Sequence, residues 1–434
     1  KPILLSSFFS MLFLSLFSQT PCDDGRYSSD VFSDFVKTSN INYGSNESWF
    51  GGNTELIMDF YEPEGDSETE RPLIIWVHGG SFIGGSKTDP DMVEFSERFA
   101  LKGYACASID YRIGFFPFDS ANAVKAVVRA VQDLRASVRY FYKDKQTANQ
   151  YKIDTNKIFI GGSSAGAITS LHMAYLDDAC KISDYLNEQT INDMGGLEGT
   201  SGNPGYSSNV QGVINGCGAL ARYSWIEADD VPLCSIHGTN DGVVTYNRGI
   251  VDPGTPLMYL DGSRMLHERA CAIGLEEYFY TFPGAGHVPY INDAQTMNIT
   301  VNFIRDFLVK QMGCDNAALQ PENAALETAF LYPINDCEGN PIDDECTSSS
   351  IAENTSIPFQ FYPNPAQNEL TIQSEELIEK IEIYNLIGQG MLSIDCMLME
   401  TTIDLSNLAS GSYFIRLINA NGAVSKSELI EITK

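Results

Sequence analysis

Basic side chains are scarce in this sequence: 27 Lys and Arg stand against 57 Asp and Glu, a formal net charge of −30 over 434 residues. Nucleic-acid binding rests on cations that neutralise phosphates, so no nucleic-acid partner is expected. Beyond the N-terminus no run approaches the roughly 20 apolar residues that span a bilayer, and no stable membrane span is expected. The ten cysteines form no CxxC and no other metal-ligand spacing, so no metal site is expected. No internal repeat is evident. Histidine is also rare, at five, which lets each one be weighed individually.

What is present is ordinary globular usage. Hydrophobic residues make up 43% and charged residues 19%, with 36 Gly and 18 Pro, which excludes collagenous, coiled-coil and fully disordered chains. The length suits one large core plus a smaller unit. Residues 1–18 carry one cation and then a short apolar run, with polar Gln19 and Thr20 directly after. They read as a secretory signal peptide cleaved near Ser18, the alternative being a buried N-terminal helix. In an exported chain cysteines can pair. Cys337 and Cys346, which bracket a short Gly/Pro/Asp loop, are the expected local bridge. Cys106, Cys217, Cys234 and Cys396 lie in apolar or alternating runs, as small buried hydrophobes do.

Within 19–312 short apolar runs (Leu73 to Val77, Tyr104 to Ile109, Ile158 to Ile160, Val213 to Ile214, Val231 to Ile236, Tyr278 to Phe282) alternate with segments of helical period. These segments include Asp91 to Lys102, Asn122 to Tyr142, Ala165 to Tyr175, Ser263 to Ile273 and Ala294 to Gln311. Continuous apolar strands between helices predict an α/β domain with a mostly parallel sheet covered by helices on both faces. Leu56, Met58 and Phe60 alternate as in an antiparallel edge strand. The Gly-, Ser-, Asn- and Asp-rich stretch from Asp177 to Asn209 reads either as a functional loop or lid or as a plain surface excursion. Residues 313–357 have linker composition. From 358 to 434 the period drops to two, with turn clusters between runs, which predicts a small β-sandwich.

The sharpest chemical signal is Gly162-Ser163-Ser164-Ala165-Gly166, between the apolar run ending at Ile160 and a helical segment. A nucleophile elbow turns so tightly that glycine is needed on both sides of the exposed serine. Such a serine needs a histidine base, in the chain order serine, acid, histidine. His78 lies upstream of Ser164, and His172 lies two turns into the following helix. His237 ends an apolar run and is followed at once by Asp241, well placed as the acid. His267 sits in a helical segment between charged residues, as a structural histidine does. His287, in a loop after Pro283-Gly284-Ala285-Gly286 at a strand end, is therefore the expected base. Acyl transfer also needs backbone N–H groups aimed at the developing oxyanion. Gly80 with Gly79 or Ser81, from His78-Gly79-Gly80-Ser81-Phe82, together with Ala165 after the nucleophile, are the expected donors. His78 is then an anchor for that loop, and Phe82 a candidate substrate contact.

With these motifs in order, residues from about 50 to 312 resemble α/β-hydrolase esterases of the carboxylesterase and hormone-sensitive-lipase type. Within that group His78-Gly79-Gly80-Ser81-Phe82, Asp110-Tyr111-Arg112 and Gly161-Gly162-Ser163-Ser164-Ala165-Gly166 are similar to secreted bacterial esterases acting on acetylated or feruloylated plant polysaccharides. The resemblance implies ester hydrolysis through an acyl-enzyme, with no metal or organic cofactor. Ser81 departs from the third glycine of the lipase-like pattern, which leaves open which two loop amides line the oxyanion hole. From Pro358 the chain resembles the C-terminal sorting domain of type IX secretion cargo in Bacteroidota. The matching residues are Phe361-Tyr362-Pro363-Asn364-Pro365, Ile383-Tyr384-Asn385-Leu386-Ile387-Gly388 and Gly411-Ser412-Tyr413-Phe414. This resemblance implies the type IX machinery as a partner and, after Sec export and outer-membrane translocation, a secreted or cell-surface location.

The expected function is thus a secreted serine carboxylic-ester hydrolase whose substrate is an ester, polysaccharide-linked or a related short-chain or aromatic one. A polyester depolymerase or a serine peptidase is the alternative. A non-catalytic adhesion module would ordinarily have lost a triad residue, and none is missing here.

Overall fold

A computed structural model of the protein describes Cys22 and residues 24–314, 359–385, 390–419 and 428–434. The expected signal peptide, nearly all of the linker and the Cys337–Cys346 bridge lie outside these residues. The chain divides into two units. The first runs through β1 (Phe35–Glu47), β2 (Asn53–Pro63), β3 (Arg71–Val77), α1 (Pro90–Leu101), β4 (Ala105–Ile109), α2 (Ser120–Gln146), β5 (Ile153–Ser163) and α3 (Ala165–Tyr175). It continues through α4 (Ala179–Ile182), α5 (Glu188–Asp193), β6 (Gly212–Gly216), β7 (Ala219–Leu220), β8 (Leu233–Gly238), β9 (Arg248–Ile250) and β10 (Tyr259–Gly262), then α6 (Ser263–Ile273), β11 (Glu277–Phe282) and α7 (Ala294–Gln311).

Among the described residues eight strands form one sheet in the order β1-β2-β4-β3-β5-β6-β8-β11. The pairs β1/β2 and β2/β4 are antiparallel, and every pair from β4 to β11 is parallel. Strands β3, β4, β6 and β8 are buried along their whole length, which explains their unbroken apolar runs: helices cover both faces. Helix α2 begins two residues before its predicted start, because the Asp119 side chain caps it by accepting from Asn122 N at 2.9 Å.

Two features differ from the sequence reading. The strand around Leu56 to Phe60 is antiparallel as expected, yet it is interior, because β1 lies outside it as the true edge. Strand β1 is mostly exposed and its register shifts between Thr38 and Ile41 and between Asn42 and Gly44, so no clean alternation marks it. The stretch from Asp177 to Asn209 contains two short helices, and its second half is tied to α2. Glu198 pairs with Arg135 at 2.5 Å and Arg139 at 2.9 Å, and Ser201 Oγ donates to Asp133 Oδ1 at 2.6 Å.

Cys22 and Cys314, 292 residues apart, are joined by a disulfide; Cys180 and Cys271 are also disulfide-bonded. Cys106, Cys217 and Cys234 are buried thiols, and Cys396 is half-buried. A cross-link over so long a loop removes much of the unfolded chain's freedom. Changing both Cys22 and Cys314 to Ser is therefore expected to lower the unfolding free energy by roughly 2–4 kcal/mol. The urea midpoint of the double variant measures this, and an unchanged midpoint contradicts it.

In the second unit β12 (Phe359–Tyr362), β13 (Glu369–Asn385), β14 (Gly390–Asp404), β15 (Gly411–Asn419) and β16 (Glu428–Ile432) pair antiparallel in the order β12-β13-β15-β16, with β14 also on β13. Leu370, Ile372, Ile381, Ile383, Ile415 and Leu417 alternate into its core, the pattern of the expected β-sandwich.

Candidate active site

Ser164 sits between β5 and α3 with φ 54° and ψ −117°, a left-handed conformation that a serine holds only when the surroundings impose it. Those surroundings are the end of β3. A Cβ on Gly162 would lie 2.2 Å from the Val77 carbonyl oxygen, and one on Gly166 only 1.9 Å from it. Both glycines of the motif are thus required by the neighbouring strand, and Ser164 N donates to Gly216 O at 2.8 Å to hold the turn. Gly166→Ala is expected to cost about 1–3 kcal/mol of stability through overpacking. Thermal unfolding checks this, and a variant as stable as the parent would contradict the close approach.

Loops after the adjacent parallel strands β8 and β11 supply Asp241 and His287. They are stitched together: Asn240 N donates to Ala285 O at 2.9 Å, and Gly284 N donates to Thr239 Oγ1 at 2.8 Å. Ser164 Oγ–H donates to His287 Nε2 at 2.8 Å, and His287 Nδ1–H donates to Asp241 Oδ2 at 2.6 Å. Asp241 Oδ1 accepts from the backbone of Val243 at 2.9 Å and Val244 at 3.0 Å. Burial by itself would raise the Asp241 pKa, but hydrogen bonds from His237 and His287 outweigh it and hold the carboxyl well below its usual range.

The contact with His237 is the one that the sequence reading missed. His237 Nε2–H donates to Asp241 Oδ2 at 3.1 Å, while its Nδ1 accepts from Ser263 Oγ at 2.7 Å. Asn215 Nδ2 in turn donates to Ser263 Oγ at 2.9 Å. A fully buried chain of hydrogen bonds therefore reaches the same carboxylate oxygen that His287 uses. The only sequence signal for it is the spacing of His237 four residues before Asp241. Cys217, His237 and Asp241 also bring three potential metal donors together. Burial pushes the Cys217 thiol up to about 12, while His237 and Asp241 are hydrogen-bonded to each other.

The loop Gly79-Gly80-Ser81-Phe82 lies against the elbow: a Cβ on Gly79 would be 3.4 Å from Ser164 Cβ. Gly80 has φ 101° and a Cβ there would meet Gly84 O at 2.3 Å. Ser81, where a third glycine was the pattern, nonetheless adopts φ 55°, and Phe82 follows at 61°. Among the described residues no group accepts from the N–H of Gly79, Gly80 or Ser81, and the Ala165 N–H is the first of its helix, without an intrahelical partner. His78 anchors this loop as expected, stacked on Tyr111 at 4.3 Å with Nδ1–H donating to Gly79 O at 2.7 Å. Arg112 is ion-paired with buried Asp133 at 2.8 Å and Asp110 accepts from Lys87 N at 2.6 Å, so Asp110-Tyr111-Arg112 is scaffolding. His267 Nδ1 lies 2.8 Å from a Glu277 carboxylate oxygen, an ion-pair position in the structural scaffold.

An apolar cavity of about 60 Å³ has walls that include Phe82, Ile168, His172, Leu176, Tyr185 and Trp225. Among the described residues no helix is long and apolar enough to cross a membrane.

Residues 58–199 match the BD-FAE family model, and residues 360–431 match the secretion system C-terminal sorting domain. Gut esterase 1 of Caenorhabditis elegans is 26% identical over 170 residues, 36% of this chain and 29% of that one. Fumonisin B1 esterase of Sphingopyxis macrogoltabida is 27% identical over 120 residues, 26% of this chain and 21% of that one. The chain thus spans less than a third of the length of these curated relatives. Among solved structures, Thermogutta terrifontis esterase 2 phosphorylated by paraoxon aligns at 20% identity with a TM-score of 0.46, covering 63% of this chain and 94% of that one. Residues 58–199 are thus similar to the BD-FAE family, and residues 360–431 to the secretion-system C-terminal sorting domains.

Proposed function

We propose that the protein is a secreted serine carboxylic-ester hydrolase that removes acyl groups from plant polysaccharides or cleaves related short-chain or aromatic esters. The observation that carries this reading is the unbroken chain Ser164–His287–Asp241, at 2.8 and 2.6 Å, beside backbone amides without partners. Ser164 Oγ attacks the ester carbonyl as His287 Nε2 takes its proton, and Asp241 stabilises the imidazolium. The oxyanion is received by the Ala165 N–H and by two of the Gly79, Gly80 and Ser81 amides. Collapse of the tetrahedral intermediate breaks the ester C–O bond. The alcohol leaves with the proton from His287, and Ser164 keeps the acyl group. Water, activated by the same histidine, then releases the acid.

In this reading residues 1–18 direct Sec export, 19–312 do the chemistry, 313–357 are a linker, and 358–434 engage the type IX machinery for delivery to the surface or outside. The sorting-domain match supports an encounter with polymeric substrates outside the cell. The full chain is expected to hydrolyse 4-nitrophenyl acetate and butyrate and to take one fluorophosphonate adduct, on Ser164, by peptide mass mapping. A folded protein with neither turnover nor adduct would sink the proposal.

A further inference from the structure

One carboxylate oxygen serves two histidines. Asp241 Oδ2 lies 2.6 Å from His287 Nδ1 and 3.1 Å from His237 Nε2, and that second nitrogen also lies 3.1 Å from the Val244 carbonyl oxygen. Carbonyl and carboxylate oxygens only accept, so His237 carries its proton on Nε2.

The same assignment is reached from the other side of the ring. Gly218 N–H donates to Asn215 Oδ1 at 2.8 Å, and a backbone amide has no other role to play. That bond turns Asn215 Nδ2 toward Ser235 Oγ and Ser263 Oγ, each at 2.9 Å. Ser263 Oγ, which accepts from Asn215, directs its own proton to His237 Nδ1 at 2.7 Å. Asn215, Ser263 and His237 are all fully buried. The donors therefore run one way, from the Gly218 amide to the Asp241 carboxylate. The other histidines are turned the opposite way: Nδ1 of His78, His172 and His287 faces the oxygens of Gly79, Ile168 and Asp241, and Nδ1 of His267 lies 2.8 Å from Glu277.

We propose that His237 is a positioning residue whose Nε2–H, pinned by this relay, takes up part of the charge of Asp241 and so sets how tightly the carboxylate holds the proton of His287. A donor bonded to a carboxylate disperses its charge and weakens its pull on any other proton. With His237 in place, His287 gives up its second proton more readily and keeps Nε2 free for Ser164 at lower pH. Without it, the whole carboxylate charge falls on His287 and stabilises the imidazolium, which cannot act as a base. The inference rests on the esterase reading and deepens it.

Three further titratable groups face this cluster. Burial pushes the Cys217 thiol up to about 12 and the Tyr290 hydroxyl well above its usual range, so both stay neutral beside Asp241. The Tyr246 ring meets His237 edge-on at 5.7 Å, and its hydroxyl is hydrogen-bonded with Thr281 Oγ1 at 2.9 Å.

The test is the pH dependence of kcat/KM for 4-nitrophenyl acetate, measured on the full chain and on its His237→Leu and His237→Gln variants. Leucine removes the donor, and glutamine returns an N–H near the place of Nε2. His237→Leu is expected to move the acid limb up by about half a unit to one unit, a loss of about three- to tenfold below the limb relative to the plateau, and His237→Gln to bring it back. A merely structural role predicts the reverse, because a loosened His287–Asp241 bond moves the limb down or leaves it in place while kcat falls. Either of those results in folded His237→Leu, or a limb displaced equally in His237→Gln, overturns the proposal. Should His237→Leu fail to fold, the wild type decides. Ring-nitrogen NMR of the histidine-labelled chain is expected to show a neutral ring protonated on Nε2 alone, missing from His237→Gln, and a wild-type spectrum without such a ring overturns the proposal. No turnover of 4-nitrophenyl acetate by the folded wild type overturns the underlying esterase reading instead, and the NMR result is independent of it.

Discussion

Replacing Ser164 with Ala is expected to abolish hydrolysis of 4-nitrophenyl esters, with kcat falling by about a million-fold. The Oγ bonded to His287 is the atom that would form the acyl-enzyme, and no neighbour can take its place: Ser163 Oγ is committed to Tyr290 Oη at 2.8 Å. The alanine methyl fits the elbow without strain beyond what Ser164 already bears, so the variant is expected to unfold at the parent temperature. Activity that persists in a folded Ser164→Ala protein would show that the chemistry lies elsewhere. Burst kinetics with 4-nitrophenyl acetate provide a second readout, since the burst must vanish with the hydroxyl.

The second large effect concerns the acid. Asp241→Asn is expected to lower kcat about 10,000-fold at neutral pH. Oδ2 accepts from both His287 and His237, and Oδ1 accepts from two backbone N–H groups. An amide presents one donor and one acceptor, so either orientation sets an NH₂ against two donors. Turned toward the histidines, it forces His287 into the tautomer whose Nε2 carries the proton and cannot receive one from Ser164. Turned the other way, it breaks the loop that holds residue 241. Both routes are costly, and the second should also lower the melting temperature. Steady-state kcat and thermal unfolding of the same preparation separate them; activity within tenfold of the parent would remove Asp241 from the reaction.

Much of this arrangement is legible in the sequence because parallel strands deliver their C-terminal ends to one edge of a sheet. The motifs around Ser164, Asp241 and His287 each follow an apolar run, so the loops after β5, β8 and β11 had to open on the same side. Predicted helices such as Ala165 to Tyr175 and Ala294 to Gln311 match α3 and α7 residue for residue, since strong periodicity and clear flanking breaks mark both. Strand β1 escaped notice because an edge strand facing water needs little apolar alternation.

Chain order, residue type and local period by themselves determined the α/β architecture, the antiparallel C-terminal unit, the elbow and the short list of groups around it. All of these leave a local mark in residue type, spacing or period along the chain. The second histidine on Asp241, the joining of Cys22 to Cys314 and the apolar cavity lined by Phe82, His172 and Trp225 were decided only by the tertiary structure. Each depends on side chains from separate elements meeting at distances of a few ångströms, and no local pattern encodes where a packed helix, a strand end and a distant loop will converge.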